Sequence, residues 1–304
     1  MRKSWKSIGL TLGLSFTLAL AACGGAEEPK QGADTGAAEG TSTIGEELNY
    51  TITGIDAGAG VMAAAQAAIE DYGLDKYELQ ASSDAAMTAA LAEAIEKEEP
   101  IVVTGWNPHW KFAKYDLKYL EDPKGSFGGA ENIHTFARLG LEEDKPEAYQ
   151  VLDNFFWTED DMGQIMSEIH DGKDPAEAAA DWVENNQDKV AKWTEGVNQV
   201  DGESLTLAFV AWDSEIASTN VIAKVLEGIG YNVEISPMEG NFMWAAIANG
   251  EADAMVAGWL PATHGAFLED YKDDVVDLGA NLESAKIGLV VPAYMEIDSI
   301  EDLK

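Results

Sequence analysis

Three tryptophans occupy similar places in the chain, each at or just past the end of a segment that the sequence predicts to be a buried strand. An indole ring is electron-rich above and below its plane, so it attracts a cation that has no N–H group to donate. Converging rings would hold a quaternary ammonium group, whereas separate rings would only cover the ends of their own strands. Composition and periodicity leave both interpretations open. The three are Trp106 after Ile101–Thr104, Trp212 after Leu205–Ala211, and Trp259 after Ala254–Ala257.

A second group of residues could bind an anion. Gly58-Ala59-Gly60-Val61 stands where a helix is predicted to begin, and the first N–H groups of a helix have no partner inside it. The helix dipole adds a partial positive charge at the same place. His264, five residues after Trp259, is a further candidate donor, although a lone histidine is more often a surface or supporting residue.

Motifs that would indicate an enzyme are missing from the sequence. There is no nucleophile elbow, phosphate-binding lysine loop or dinucleotide fingerprint. The single cysteine and the scattered histidines do not have the spacing of metal ligands. We therefore expect a protein that is not an enzyme and that needs no cofactor, catalytic residue or metal. The histidines are His109, His134, His170 and His264.

Predicted strands and helices alternate in two similar runs. The run from Leu48 to Trp106 has the same plan as the run from Leu205 to Trp259, and the segments VVTGWNPHW and MVAGWLPATH match at Gly-Trp and at the following proline. Such alternation is typical of an α/β fold with parallel strands, and the carboxyl ends of those strands are where ligands bind. We expect a first lobe over 47–200, which includes added helices, and a second lobe over 201–304.

The N-terminus indicates export. Residues 1–22 have the basic start, short apolar run and small-residue end of a signal peptide. Leu20-Ala21-Ala22-Cys23 resembles a lipobox, which predicts lipidation of Cys23, the only cysteine of the chain. Residues 23–46 are rich in Gly, Ala, Glu and Thr and predict a flexible tether. We expect a protein anchored by lipid on the outer face of the cell membrane.

The charge balance excludes nucleic acid as a partner. The chain has 55 acidic and 19 basic residues, a formal net charge of −36. Such an excess repels phosphates, and we interpret it mainly as a solvated acidic surface.

Several long motifs resemble the glycine betaine-binding lipoproteins of Opu-type osmoprotectant ABC importers. The resemblance covers nearly the whole chain after the signal peptide. It is carried by GIDAGAGVM (54–62), VVTGWNPHW (102–110), FAKYDLKYLEDPKG (112–125), AWDSEIASTNVIAKVLEGIGY (211–231) and AGWLPATH (257–264).

The resemblance implies a fold and a role for each candidate residue. It implies a two-lobed fold like that of type II periplasmic binding proteins, circularly permuted, with the ligand cleft between the lobes. Trp106, Trp212 and Trp259 would surround the trimethylammonium group, while the amides of Gly60 and Val61 and the side chain of His264 would hold the carboxylate. Ala57 stands where many relatives have proline, so the loop before the helix is expected to be less rigid.

The expected function is therefore capture of glycine betaine and its delivery to an ABC importer permease by a monomeric protein. Proline betaine, a sulfonium analogue or choline are alternatives for the same site. Choline ranks lower because it lacks a carboxylate and would leave the donors of Gly60, Val61 and His264 unpaired. A carbohydrate-binding surface protein and a tethered adhesion protein are alternatives from other classes.

Overall fold

Strands and helices alternate through most of the chain in the computed structural model, which describes residues 42–304. The predicted signal peptide 1–22, Cys23 and the predicted tether up to residue 41 lie outside the described residues. The prediction of an α/β fold is confirmed.

In the two repeated runs every predicted strand and helix is present, with ends that differ from the predicted ones by up to three residues. The strands are β1 (Thr51–Thr53), β2 (Glu78–Gln80), β3 (Val103–Asn107), β4 (Leu117–Tyr119), β5 (Glu131–Arg138), β6 (Ser204–Phe209), β7 (Asn232–Pro237), β8 (Ala254–Leu260) and β9 (Val275–Pro292). The helices are α1 (Ile44–Glu47), α2 (Gly60–Tyr72), α3 (Asp84–Lys97), α4 (Lys111–Lys114), α5 (Leu141–Asp144), α6 (Pro146–Asn154), α7 (Glu159–His170), α8 (Pro175–Asn185), α9 (Gln187–Trp193), α10 (Asp213–Gly228), α11 (Gly240–Ala248) and α12 (Gly265–Tyr271), and a 3-10 turn spans Ile300–Leu303.

The strands of residues 42–304 form one mixed, nine-stranded sheet in the order β2-β1-β3-β9-β5-β8-β6-β7, with β4 beside β9. We call β2-β1-β3 the first sheet half and β8-β6-β7 the second sheet half. Within each half the strands are parallel, as the repeated runs predict. The two strands between the halves, β9 and β5, pair antiparallel with their neighbours.

Strand β9 links the two halves. Its later residues pair with β3, with Gly105 opposite Gly288 and Trp106 opposite Ile287. Its earlier residues pair with β5, which in turn pairs with β8. Sequence reasoning found only the apolar end of this 18-residue strand. The first part was missed because VVDLGANLESA mixes polar and apolar residues without a clear period of two.

Helices α7 and α8, which lie in the sequence between the two sheet halves, cover α10. This helix is buried on nearly all sides, with Ala217, Val221 and Ile222 fully enclosed, so one sheet face cannot shield it alone. Helices α7 and α8 pack against it from the other side. The sequence had assigned these helices to a first lobe ending at residue 200, whereas in the structure they contact a helix of the second sheet half.

The last residues of the predicted tether, which runs to residue 46, are helical in the structure. Thr43 and Glu46 form a reciprocal capping box around α1, and Ile44 packs against the core. These local hydrogen bonds give residues 43–47 a helical turn that composition alone did not indicate. In residues 42–304 there is no helix whose length and hydropathy would suit a membrane span.

Candidate functional site

The three tryptophans lie around one cavity. Trp106 is the penultimate residue of β3, Trp259 is the penultimate residue of β8, and Trp212 is the N-cap of α10 after β6. All three are at least 95% buried. The centroids of the Trp106 and Trp212 rings are 6.1 Å apart at an interplanar angle of 49°. The cavity is lined by Ile55, Val61, Trp106, Trp212, Trp259, Thr263 and Ile287.

The glycine before two of these tryptophans allows close packing behind the rings. A Cβ on Gly105 would lie 2.4 Å from the Val290 side chain, and one on Gly258 would lie 2.4 Å from the Phe136 ring. Both distances are too short for real contacts. The repeated Gly-Trp pair thus lets a neighbouring side chain support the strand immediately before each indole.

Each indole N–H group of the cavity has an acceptor. Trp212 Nε1 donates to Asp56 Oδ2 at 3.1 Å, which crosses from the second sheet half to the loop before α2. Trp106 Nε1 donates to Ser214 Oγ at 3.2 Å, and Trp259 Nε1 donates to Glu215 Oε1 at 2.7 Å. A satisfied N–H group fixes the ring plane, so any further contact of these rings is made through their faces.

The start of α2 has two free amides beside the cavity. Its N-cap, Ala59, makes no side-chain capping bond, and within residues 42–304 the N–H groups of Gly60 and Val61 have no protein acceptor. Gly60 is also a point of contact between the halves, since a Cβ there would lie 2.0 Å from the carbonyl oxygen of Thr263. Only glycine permits so close an approach.

His264 is buried, and its ring stacks on Trp212 with centroids 6.1 Å apart. Burial lowers the pKa of His264 to about 4, against a smaller opposing effect of the Ala257 carbonyl, so the ring is neutral near pH 7. Its Nδ1 atom accepts the Trp259 amide N–H at 3.1 Å, which assigns the ring proton to Nε2. A neutral imidazole held in this way is a hydrogen-bond donor through Nε2.

The loop that carries His264 is fastened by a buried carboxylate. Glu131 of β5 accepts hydrogen bonds from the amides of Ala262 and Thr263 at 2.8 and 2.7 Å and from the Thr263 hydroxyl at 2.6 Å. This anchoring holds the Thr263 carbonyl against Gly60. Sequence reasoning missed Glu131, because its position 131 residues before the loop gives no local signal.

A second set of contacts joins the halves beside the cavity. Asp84 Oδ2 accepts the amide of Asp213 at 3.0 Å, and the Asp213 side chain accepts the Trp110 indole N–H. His109 Nε2 lies 3.3 Å from Asp84 Oδ1. These bonds run from α3 and the loop before α4 to the start of α10, so the structure has its two sheet halves closed on each other.

Lys111, which the sequence analysis did not single out, lies against the Trp106 ring outside the cavity. Its Nζ lies 4.3 Å from the centroid of the Trp106 ring, and Lys111 is not among the residues that line the cavity. The ammonium group is fully buried and has no hydrogen-bond partner among the described residues. Burial lowers the pKa of Lys111 to about 7, although the carboxylates of Asp84 and Asp213 oppose this shift.

The remaining tryptophans of the described residues other than Trp110 are part of the core. Trp182 stacks on Trp193 with centroids 5.7 Å apart, and Trp157 meets Trp182 edge to face. Trp244 is fully buried against Phe136. None of the four lines the cavity.

A family model and a curated relative agree on the family of this chain. The family model described as the substrate-binding domain of ABC-type glycine betaine transport systems, OpuAC, matches residues 31–185 and 203–304. The chain is 58% identical over 294 residues to the glycine betaine/carnitine transport binding protein GbuC of Listeria monocytogenes, covering 96% of this chain and 95% of that protein.

Solved structures give partial matches. One is lactococcal OpuAC in a closed, liganded conformation with glycine betaine, at 53% identity and a TM-score of 0.47, covering 48% of this chain and 58% of that one. Another is the glycine/betaine/L-proline-binding protein ProX of Borrelia burgdorferi, at 39% identity and a TM-score of 0.48, covering 50% of this chain and 58% of that one. The expectation of a non-enzymatic, periplasmic-binding-protein-like chain is confirmed by the family model and the Listeria relative, and the chain belongs to the OpuAC family of substrate-binding domains of ABC importers.

Proposed function

We propose that this protein captures glycine betaine outside the cytoplasm and delivers it to the permease of an ABC importer. The observation that carries the proposal is the cavity between the sheet halves, where Trp106, Trp212 and Trp259 meet. The name of the Listeria relative, which is 58% identical to this chain over 294 residues, supports the same ligand class.

The cavity chemistry suits a trimethylammonium group. Such a cation cannot donate a hydrogen bond, so indole faces must recognise it, each contributing about 2 kcal/mol when water is excluded. All three rings are buried, and their N–H groups are already engaged. The rings therefore offer their faces and not their edges to the ligand.

We call the Trp106, Trp212 and Trp259 rings the cage. The hydrogen-bond donors beside the cage suit the carboxylate of the same ligand. The Gly60 and Val61 amides lie at the positive end of α2, and the neutral His264 ring is a donor through Nε2. Choline has no carboxylate and would leave these donors unpaired, so glycine betaine and its longer or cyclic relatives are favoured over choline.

Closure of the two sheet halves around the ligand would let the permease distinguish the liganded protein from the empty one. The cage takes Trp106 from the first sheet half and Trp212 and Trp259 from the second, so a bound ligand bridges the halves. The permease would recognise this closed form, which the ligand favours because only the closed form completes the cage. We further propose that the protein acts as a monomer held at the outer face of the membrane by lipid on Cys23.

Calorimetric titration of the chain from residue 24 onward tests the ligand. We expect tight binding of glycine betaine, much weaker binding of choline and none of proline. Alanine at Trp106, Trp212 or Trp259 should each weaken glycine betaine binding by about tenfold or more, with Trp182→Ala as a core-tryptophan control for general loss of structure. Unchanged affinity in all three cage variants would refute the proposal.

A further inference from the structure

Glu215 connects two of the three cage rings. Its side chain is fully enclosed at the start of α10. One carboxylate oxygen accepts the indole N–H of Trp259 at 2.7 Å, and the other accepts the Ser214 hydroxyl at 2.5 Å. The Ser214 oxygen in turn accepts the indole N–H of Trp106 at 3.2 Å. One acidic group thus holds rings from both sheet halves.

This carboxylate has no basic partner. No Lys, Arg or His forms an ion pair with Glu215 within residues 42–304. A buried carboxylate without a cation is costly to keep ionised. Burial raises the pKa of Glu215 to about 7, an effect that its hydrogen bonds from Ser214 and Trp259 reduce and the charge of Asp84 increases. Such a group would be stabilised by a cation that arrives from outside.

We propose that Glu215 is the counter-charge of the tryptophan cage: its carboxylate orients the Trp106 and Trp259 rings and supplies the negative charge that a bound quaternary ammonium group requires. This inference rests on the proposed function. A negative charge at an indole N–H group makes the ring face more attractive to a cation, because it adds to the field of the ring quadrupole. Glu215 is accordingly a positioning and specificity residue that does not touch the ligand.

The proposal predicts that ligand uptake is linked to proton release. A cation in the cage favours ionised Glu215, so part of the population gives up a proton on binding, and affinity rises with pH across neutrality. The other titratable or charged groups around the cage are Asp56, Asp84, His109, Lys111, Asp213 and His264. Burial lowers the pKa of His109 and of His264 to about 4, so both stay neutral. Lys111 over Trp106 would release a proton in the same range, so it must be removed in the test.

The experiment measures proton release on glycine betaine binding in the Lys111→Met variant of the same chain, by calorimetry in buffers of different ionisation enthalpy near pH 7. We expect a fraction of a proton released per ligand, since burial raises the pKa of Glu215 to about 7 and a bound cation favours its ionised form. Adding Glu215→Gln should abolish the release and weaken binding about tenfold. The amide oxygen can still accept the Trp259 indole N–H, while the amide NH2 group donates to Ser214 Oγ and so reverses the hydrogen bond that the Ser214 hydroxyl makes in the parent. Glu227→Gln, which removes a surface charge paired with Lys224 on the same helix, is the matched control and should change neither quantity.

The outcomes separate this inference from the proposed function. If the parent chain does not bind glycine betaine, the proposed function fails. If the parent binds but Lys111→Met releases no proton, or Glu215→Gln binds as tightly as its background, the counter-charge role is wrong and the function stands. The proton measurement is made with Glu215 intact, so it tests the counter-charge role even if the Glu215→Gln variant does not fold.

Discussion

Buried ionisable side chains surround the cage on several sides. Glu215 lies at the edges of two rings, Lys111 lies behind Trp106, and His264 stacks on Trp212. Each is enclosed by protein, so small changes in protonation have large electrostatic effects there. We therefore expect ligand selection at this site to depend partly on the charges of Glu215 and Lys111, neither of which lines the cavity.

Lys111→Met should make the protein more stable at neutral pH. The pKa of Lys111 is lowered to about 7 in the folded chain, so between about pH 7 and 10.5 the unfolded chain binds a proton that the folded chain does not. Stability from this group is lost as pH falls through that range. The variant should gain at least about 1.4 kcal/mol at pH 7, the equivalent of one pKa unit.

Urea unfolding of the parent and the variant at several pH values would measure this difference. The gap between them should narrow as pH rises from 7 toward 10. Lys224→Met, at a surface position of α10, is the control. A constant gap at all pH values would mean that Lys111 acts through packing and not through its charge.

The sequence predicted the positions of the three tryptophan rings better than it predicted the residues that accept their N–H groups. Trp106, Trp212 and Trp259 could be placed because each follows an apolar strand. Glu215 could not be distinguished among 55 acidic residues, since its burial depends on contacts with strands far away in the chain. The site assignments of Gly60, Val61 and His264 remain predictions that the geometry supports.

The strand ends and the start of α2 determine how closely the sheet halves can meet. Residues from the carboxyl ends of β1, β3, β6 and β8 all reach the cavity region. The halves approach each other closely at Gly60, where a backbone carbonyl of the opposite half occupies the space of a side chain. A helix start without a capping side chain leaves its amides available at this contact.

Gly60→Ala should weaken glycine betaine binding by about tenfold or more, because the added methyl group meets the Thr263 carbonyl before the halves close. The open form, in which the halves are apart, has no such clash, so the thermal stability of the unliganded protein should fall little. Calorimetric affinity and thermal unfolding would be measured together. Gly58→Ala is the matched control, since a Cβ at Gly58 meets no atom within 4 Å. Equal binding by both variants would contradict the role of this contact.

Element boundaries were predicted well wherever the hydrophobic pattern was strong. The hydrophobic pattern predicts helices at about 61–72, 84–97 and 214–226. Helix α3 has the predicted bounds, and α2 and α10 differ from theirs by one or two residues. The antiparallel strands β5 and β9 connect the two sheet halves. The sequence predicts strands at 133–139 and 287–291, which cover most of β5 but only the end of β9, and it does not give their direction. Pairing partners are tertiary information, which local periodicity does not contain.

The whole molecule is strongly acidic, with a net charge of −36. Several carboxylates form ion pairs, such as Asp253 with Arg138 and Lys145, but the 19 basic residues are too few to neutralise the surface. Like charges repel most in the compact state, where they are closest. The folded form is therefore expected to depend on screening by salt.

Raising sodium chloride from low concentration to about 1 M should increase the melting temperature by about 3 °C or more. Salt shortens the range of repulsion between exposed carboxylates and so favours the folded form. Differential scanning calorimetry would measure the change, with sucrose at equal osmolality as the control for solute exclusion. A melting temperature that is unchanged or lower in salt would show that the acidic surface does not oppose folding.

Strand β9 has a consequence for how the protein is made. It lies in the last tenth of the chain and supplies the neighbour that both β3 and β5 need. Until it emerges from the ribosome, those two strands keep open edges and the chain cannot reach its final form. Native folding of residues 42–304 therefore requires β9, so the parallel strands of both sheet halves are made before the sheet that joins them can be completed.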